Sequence, residues 1–123
     1  MDLIREKINE VINRIKCIIE ADPDLYIVPW KEDDGFQYLR VYHCDVETYL
    51  VEISPAREIR LPNSNRVGRI EVDNSFDTAE YIVFYKVSDS EVNVEVANGE
   101  SLDSCLVGKV NRAYSEFTGS QRP

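Results

Sequence analysis

Histidine, glycine and cysteine are scarce in this 123-residue sequence, which limits the chemistry it can carry out. The chain has one histidine, His43, five glycines and three cysteines. It contains no glycine-rich phosphate-binding motif, no serine nucleophile elbow and no HExxH zinc motif. Cys17, Cys44 and Cys105 are odd in number and widely spaced, which favours reduced thiols over a disulfide framework. The sequence therefore predicts no catalytic residue, no metal site and no cofactor.

Positive charge and long apolar runs are lacking as well. Lys and Arg number 14 against 23 Asp and Glu, for a formal net charge of -9. Such a chain repels nucleic acid and anionic membranes, and it suits a partner with a basic surface. No apolar run approaches the roughly 20 residues that a membrane span needs, and the N-terminus is too charged for a secretory signal. We expect a cytoplasmic protein that binds neither nucleic acid nor membranes.

Hydrophobic periodicity predicts a helix at the N-terminus, followed by strands. Apolar residues recur there at helical spacing, on one side of the helix: Ile4, Ile8, Val11, Ile12, Ile15, Ile18 and Ile19. Pro23 ends this helix. The Asp34-Gly35 pair between two β-rich runs indicates a hairpin, residues 36–44 and 47–53 are predicted as strands, and Pro55 and Pro62 mark the following stretch as irregular.

The second half of the chain predicts more strands and a closing helix. Val92, Val94 and Val96 alternate with polar residues, as in a strand with one buried face. Ser101 is a good N-cap for a helix over about 102–117. We expect one α+β domain over 1–118, with an antiparallel sheet of about six strands, two helices on one sheet face, and a flexible tail at 119–123.

The tripeptide His43-Cys44-Asp45 invites a catalytic interpretation that its geometry does not favour. Successive side chains of a strand point to opposite faces, so His43 and Cys44 do not easily form a dyad. His43 and Asp45 could share a face, but such a pair still needs a nucleophile or a pocket. We expect His43 to lie at the edge of the core.

Charged residues are unevenly distributed along the chain. Acids dominate 71–103, and Glu91, Glu95 and Glu100 are predicted to contact a basic partner, although the same charges could serve solubility alone. Arg57, Arg60, Arg66 and Arg69 fall within 13 residues and could bind a phosphate or carboxylate ligand, or pair with the protein's own acids.

Aromatic residues provide the third clue. Tyr38 and Tyr42 should share one strand face with Phe36, Arg40 and Cys44, and Tyr and Arg are enriched in binding hot spots. If both helices cover the other face, the Tyr face is free for a partner, with Tyr38, Arg40 and Tyr42 as contact residues. If the sheet curls, the same rings form core.

Three functions are consistent with these features. The first is a non-enzymatic acidic inhibitor, of the immunity or anti-defence type, that covers a basic functional surface of another protein. The order of short elements and the acidity also resemble those of small secretion chaperones, a resemblance that no single motif carries and that implies a homodimeric chaperone or adaptor. The third is a small-molecule or nucleotide binder that uses Arg57, Arg60, Arg66 and Arg69.

Overall fold

The computed structural model describes residues 2–58 and 65–119, and the predicted α+β architecture is confirmed. An N-terminal helix is followed by six strands and a C-terminal helix. The elements are α1 (Leu3–Glu20), β1 (Leu25–Asp33), β2 (Phe36–His43), β3 (Val51–Arg57), β4 (Arg66–Asp73), β5 (Glu80–Ser88), β6 (Glu91–Val96) and α2 (Leu102–Gly119), with a short 3₁₀ turn at Ala97–Gly99.

The six strands form one antiparallel meander in the order β1-β2-β3-β4-β5-β6. Every strand pairs with its neighbour in sequence, as expected of strands joined by short hairpin connections. The predicted Asp34-Gly35 turn joins β1 and β2, and both residues have positive φ, 51° and 79°. This is the two-residue geometry whose twist matches that of the flanking strands.

Both helices pack on the same face of the sheet. In α1 the Asp2 carboxylate caps the first turn, and the stripe formed by Ile4, Ile8, Ile12, Ile15 and Ile19 is buried. In α2 the Ser101 hydroxyl accepts a hydrogen bond from the Ser104 N–H at 3.1 Å, as predicted for the N-cap. The buried apolar residues of both helices and of the sheet form a single cluster, apart from Val83 and Cys105. The opposite sheet face therefore lacks a helical cover in the described part of the chain.

Pro55 does not interrupt the chain as the sequence predicted. It is buried within β3, which pairs with β4 from Glu52 to Arg57. The ladder between β2 and β3 has only three registered pairs and ends at Ile53, so the missing N–H of Pro55 removes no bond to β2. The predicted strand over 47–53 begins later, at Val51, and 44–50 is a loop.

An extra residue in β1 changes the register of the first hairpin. Pro29 lies opposite Leu39, whereas Lys31 lies opposite Tyr38, which leaves Trp30 without a partner in β2. A bulge of this kind shifts the faces to which the preceding residues point. Tyr26 and Val28 consequently pair with Tyr42 and Arg40 on the helix-free face.

Helix α2 extends slightly beyond its predicted end. Position 119 of the predicted flexible tail is the last residue of α2, and 120–123 lie outside the described residues. Neither helix is long and apolar enough to cross a membrane, within the residues that the structure describes.

Gly68 allows the close approach of α1 to the sheet, which gives a first prediction. A Cβ at this position would lie 3.0 Å from Ile8 Cδ1 and 3.3 Å from the Ala56 carbonyl oxygen. Overpacking costs about 1–3 kcal/mol, which exceeds the roughly 0.4–1 kcal/mol gained by restricting the unfolded chain. Gly68→Ala should lower the free energy of unfolding by about 1 kcal/mol in urea titrations.

Gly108 provides a matched control in α2. A Cβ there would meet only the Arg112 guanidinium, at 3.5 Å or more, which is ordinary van der Waals contact. Gly108→Ala should raise the free energy of unfolding by about 0.5–1 kcal/mol, because glycine is a poor helix former. Equal effects of the two substitutions would contradict the close packing at Gly68.

Candidate functional site

His43 lies where the sequence places it, at the edge of the core. Its ring stacks on Tyr114 of α2 with centroids 4.2 Å apart, and its Nδ1 accepts a hydrogen bond from the Asp45 N–H at 2.9 Å. Cys44 and Asp45 are exposed in the turn after β2. The His-Cys-Asp tripeptide thus closes a turn and packs a helix against the sheet.

The described arginines of the basic cluster are engaged with the protein's own carboxylates. Arg57 Nη1 lies 2.5 Å from Asp2 Oδ2, and Arg66 Nε lies 2.6 Å from Glu58 Oε2. Arg69 also donates to Glu58. Arg60, the fourth member of the predicted cluster, lies outside the described residues. These ion pairs leave little unpaired positive charge with which Arg57, Arg66 and Arg69 could bind a ligand.

Glu58 is the shared acceptor of two of these arginines, and its side chain is mostly buried. Burial alone would raise the pKa of Glu58, but hydrogen bonds from Arg69 and Arg66 lower it below its ordinary value of 4.5. The same bond raises the pKa of Arg69. The Arg69 Nε is nonetheless buried with no hydrogen-bond partner in the described part of the chain.

The three predicted acidic contact residues are all exposed but do not form one cluster. Glu95 and Glu100 line a groove of about 720 Å³ along the β6 edge, together with Tyr81 and Tyr85 of β5. Glu91 does not line this groove and begins β6 next to the β5–β6 turn. Two of the three acids, Glu95 and Glu100, therefore line the same groove as Tyr81 and Tyr85.

Tyr38, Arg40 and Tyr42 lie on the helix-free face of the sheet, because their partners across β1 and β3 are not in the core cluster. Phe36 does not belong to it. The Phe36 ring is buried and lies under the Arg5 guanidinium of α1, because it packs against this helix at the hairpin end of β2.

The structure adds residues of β1 and of the 44–50 loop to this face. Tyr26, Val28 and Trp30 are among the most exposed large apolar side chains, at 46%, 39% and 38%. The Tyr26 and Tyr42 rings stack at 5.3 Å, and the Trp30 ring meets Tyr38 edge-on at 5.7 Å. We call this surface the aromatic patch; its members are Tyr26, Val28, Trp30, Tyr38, Tyr42 and Tyr49.

Arg40 occupies the centre of the aromatic patch. Its Cζ lies 4.4 Å from the ring centroids of both Trp30 and Tyr49, and its Nη2 lies 3.2 Å from Glu52 Oε1. Burial, followed by the nearby Glu52 carboxylate, raises the pKa of the Tyr49 hydroxyl. We call the three groups around the guanidinium, Trp30, Tyr49 and Glu52, the Arg40 cage.

Carboxylates accumulate on the helix-free face beside the Arg40 cage. Arg40 lies opposite Glu52, and Glu52 lies opposite Asp73. Glu71, two residues before Asp73, is on the same face of β4. Among the described residues, no Lys or Arg lies within 4 Å of the carboxylates of Asp73, Glu71 or Glu95. Like charges in direct cross-strand positions are destabilising, so the Glu52–Asp73 pair would be stabilised by a cation bound beside it.

Lys109 of α2 is a buried charge whose position has no signal in the sequence pattern. Its side chain has no exposed surface, and its ammonium donates to the Thr78 carbonyl and lies 3.7 Å from Asp77 Oδ2. Asn74 donates to the Lys109 carbonyl at 3.1 Å. These bonds fix the 74–79 loop on α2, away from the helix-free face, and give Lys109 a structural explanation.

The other reactive groups do not assemble into a second site. Burial, with the Glu80 and Glu100 charges, raises the pKa of the Cys105 thiol to about 11, which keeps it protonated. Cys17 and Cys44 are exposed and unpaired. No group of three or more His, Cys, Asp or Glu side chains within 2–58 and 65–119 is arranged to hold a metal ion.

Comparison of the chain with protein-family models, curated proteins and solved structures finds no match.

The ion pairs of Glu58 with Arg66 and Arg69 should make a pH-dependent contribution to the free energy of unfolding. Glu58→Gln should lower the free energy of unfolding at pH 7 by about 1–3 kcal/mol, because two charged hydrogen bonds are weakened. A lowered carboxyl pKa stabilises the fold above the unfolded value of 4.5, and this stability is lost as the pH falls through the folded pKa. The difference from the unsubstituted protein should therefore shrink below pH 4.5 in urea titrations.

Glu116 of α2 is the control for this measurement, since it is an exposed carboxylate with no ion pair in the described residues. Glu116→Gln should change stability little at any pH. A Glu58→Gln effect that stays constant from pH 7 to pH 3 would contradict the assignment.

Proposed function

We propose that the protein is a non-enzymatic binding module that covers a basic functional surface of a partner protein with its helix-free sheet face, and so inhibits that partner. The observation that supports this proposal is the combination, on one uncovered face, of the aromatic patch with the carboxylates of Glu71, Asp73 and Glu95, which have no ion pair within the described residues. Fully packed aromatic residues supply much of the binding energy in protein interfaces. The surrounding acids would steer a basic partner and select against acidic ones.

Two features support a different protein, rather than a second copy of the chain, as the occupant of this face. Two copies would each bring a net charge of -9, so their approach is opposed by repulsion. The aromatic patch includes residues of the edge strand β1, where Pro29, the Trp30 bulge and Lys31 disfavour strand-to-strand pairing between copies. Finding that the chain forms a homodimer through this face would therefore contradict the proposal.

The proposal can be tested by comparing variants of the full chain in affinity capture from lysate of the native host. Tyr26→Ser with Val28→Ser reduces the exposed apolar area of the patch without changing its charge. Glu71→Lys with Asp73→Lys reverses the charge on the same face. Both pairs should abolish recovery of a basic protein that the unsubstituted chain retains at low salt and loses at high salt.

Exposed positions on α2 provide the matched controls for this capture. Val107 is 49% exposed and Glu116 is exposed, and neither belongs to the sheet. Val107→Ser and Glu116→Lys should leave recovery unchanged. Equal loss in all four variants, or retention of the partner by the two sheet-face variants, would overturn the proposal.

The predicted acids at the β6 edge can be tested kinetically once the partner is purified. Charge reversal at Glu91, Glu95 and Glu100 should slow association by about tenfold at low salt and weaken its salt dependence, while the dissociation rate changes less. Surface plasmon resonance at several salt concentrations measures both rates. Unchanged association kinetics would remove these three residues from the interface.

A further inference from the structure

The Arg40 cage has the composition of a guanidinium-binding site. The ring centroids of Trp30 and Tyr49 each lie 4.4 Å from the Arg40 Cζ, and Glu52 accepts hydrogen bonds from Nε at 3.3 Å and Nη2 at 3.2 Å. The Arg40 and Glu52 side chains keep 30% and 23% of their surface exposed. The site is therefore formed on the surface and is accessible from the helix-free face.

The chemistry of the cage distinguishes arginine from lysine. A guanidinium is flat and delocalised, so it can stack on two rings while its N–H edge binds a carboxylate. An ammonium is a compact and strongly hydrated charge, and it cannot stack in this way. Two rings and one carboxylate around the same cation are therefore matched to arginine by both shape and charge.

A second carboxylate lies beside that of Glu52, while the Lys31 ammonium of β1 lies 4.8 Å from the Tyr38 ring centroid. Asp73 lies directly opposite Glu52 in the register of β3 and β4. Within the described residues, no Lys or Arg lies within 4 Å of its carboxylate. A second guanidinium would therefore be electrostatically favoured here, and Asp73 offers an alternative acceptor to Arg40.

We infer that the Arg40 cage receives an arginine side chain of the partner protein, and that Arg40 holds this position in the free protein and turns to Asp73 in the complex. The inference rests on the proposed function and specifies which residue type of the basic partner is recognised. Arg40 acts as an internal competitor whose local concentration far exceeds that of any free ligand. Removing the Arg40 side chain should therefore let the cage bind a free arginine compound measurably.

Trp30 is the single tryptophan of the chain, so its fluorescence reports on the cage directly. The experiment titrates N-acetylarginine amide into the unsubstituted protein and into Arg40→Ala. We expect saturable quenching or enhancement for Arg40→Ala, with an affinity at least about tenfold higher than for the unsubstituted protein. N-acetyllysine amide should bind Arg40→Ala at least several-fold more weakly than the arginine compound.

A double variant and a distant control separate recognition from a general salt effect. Arg40→Ala with Glu52→Gln should lose the arginine response, because the cage then lacks its carboxylate. Arg112→Ala removes another surface arginine that is paired with a carboxylate, Asp77, but lies on α2. This control should show no gain in arginine-induced thermal stabilisation, whereas Arg40→Ala should show one.

Two checks distinguish a folding defect from a loss of arginine binding, and a failure of this inference from a failure of the proposed function. Circular dichroism of Arg40→Ala should match the unsubstituted protein; if it does not, Arg40→Gln repeats the titration with a side chain of similar length and no charge. Equal responses to arginine and lysine, or no response in either variant, would overturn the inference. If the sheet-face variants still abolish partner capture in that case, the proposed function stands; if they do not, it fails independently of the cage.

Discussion

The packing of both helices on a single face of the sheet is the constraint on which the rest of this structure depends. The isoleucine stripe of α1 and the apolar side of α2 join one core cluster with the inner residues of the strands. Because both helices pack on one face of the sheet, the opposite face is stabilised by contacts among its own side chains. It achieves this with ring stacking, cation–π contacts and cross-strand ion pairs. A surface of this kind is stable in water and still rich in the groups that bind proteins.

The Trp30 bulge determines which residues reach that surface. With an uninterrupted two-residue hairpin at Asp34-Gly35, Tyr26 would lie opposite His43, on the covered face. The single extra residue moves Tyr26 opposite Tyr42 instead. The same bulge places Trp30 where it contacts Arg40. One inserted residue thus converts an ordinary edge strand into the main apolar part of the candidate interface.

Features that depend on interactions between neighbours in sequence are predicted well, whereas features that depend on distant residues are not. The helices, the hairpin at Asp34-Gly35 and the alternation in β6 depend on local patterns, and these predictions are confirmed. The positions of Trp30 and Tyr49 beside Arg40 depend on a bulge and on a loop, which have no periodic signature in one sequence. The prediction of an irregular segment at Pro55 is wrong because a strand can accept a proline where it has no partner for the missing N–H, and that depends on where the β2–β3 ladder ends. Lys109 was missed because its partners lie in a loop about 30 residues away.

The order of elements also has a consequence for the synthesis of the chain. Helix α1 is translated before the sheet, and much of its contact surface is in β4, β5 and β6, which are translated much later than β1. The meander itself can grow hairpin by hairpin, because each strand pairs with the one just translated. The isoleucine stripe of α1 can therefore pack on β1 early, but part of its docking surface is missing until β6 has been translated.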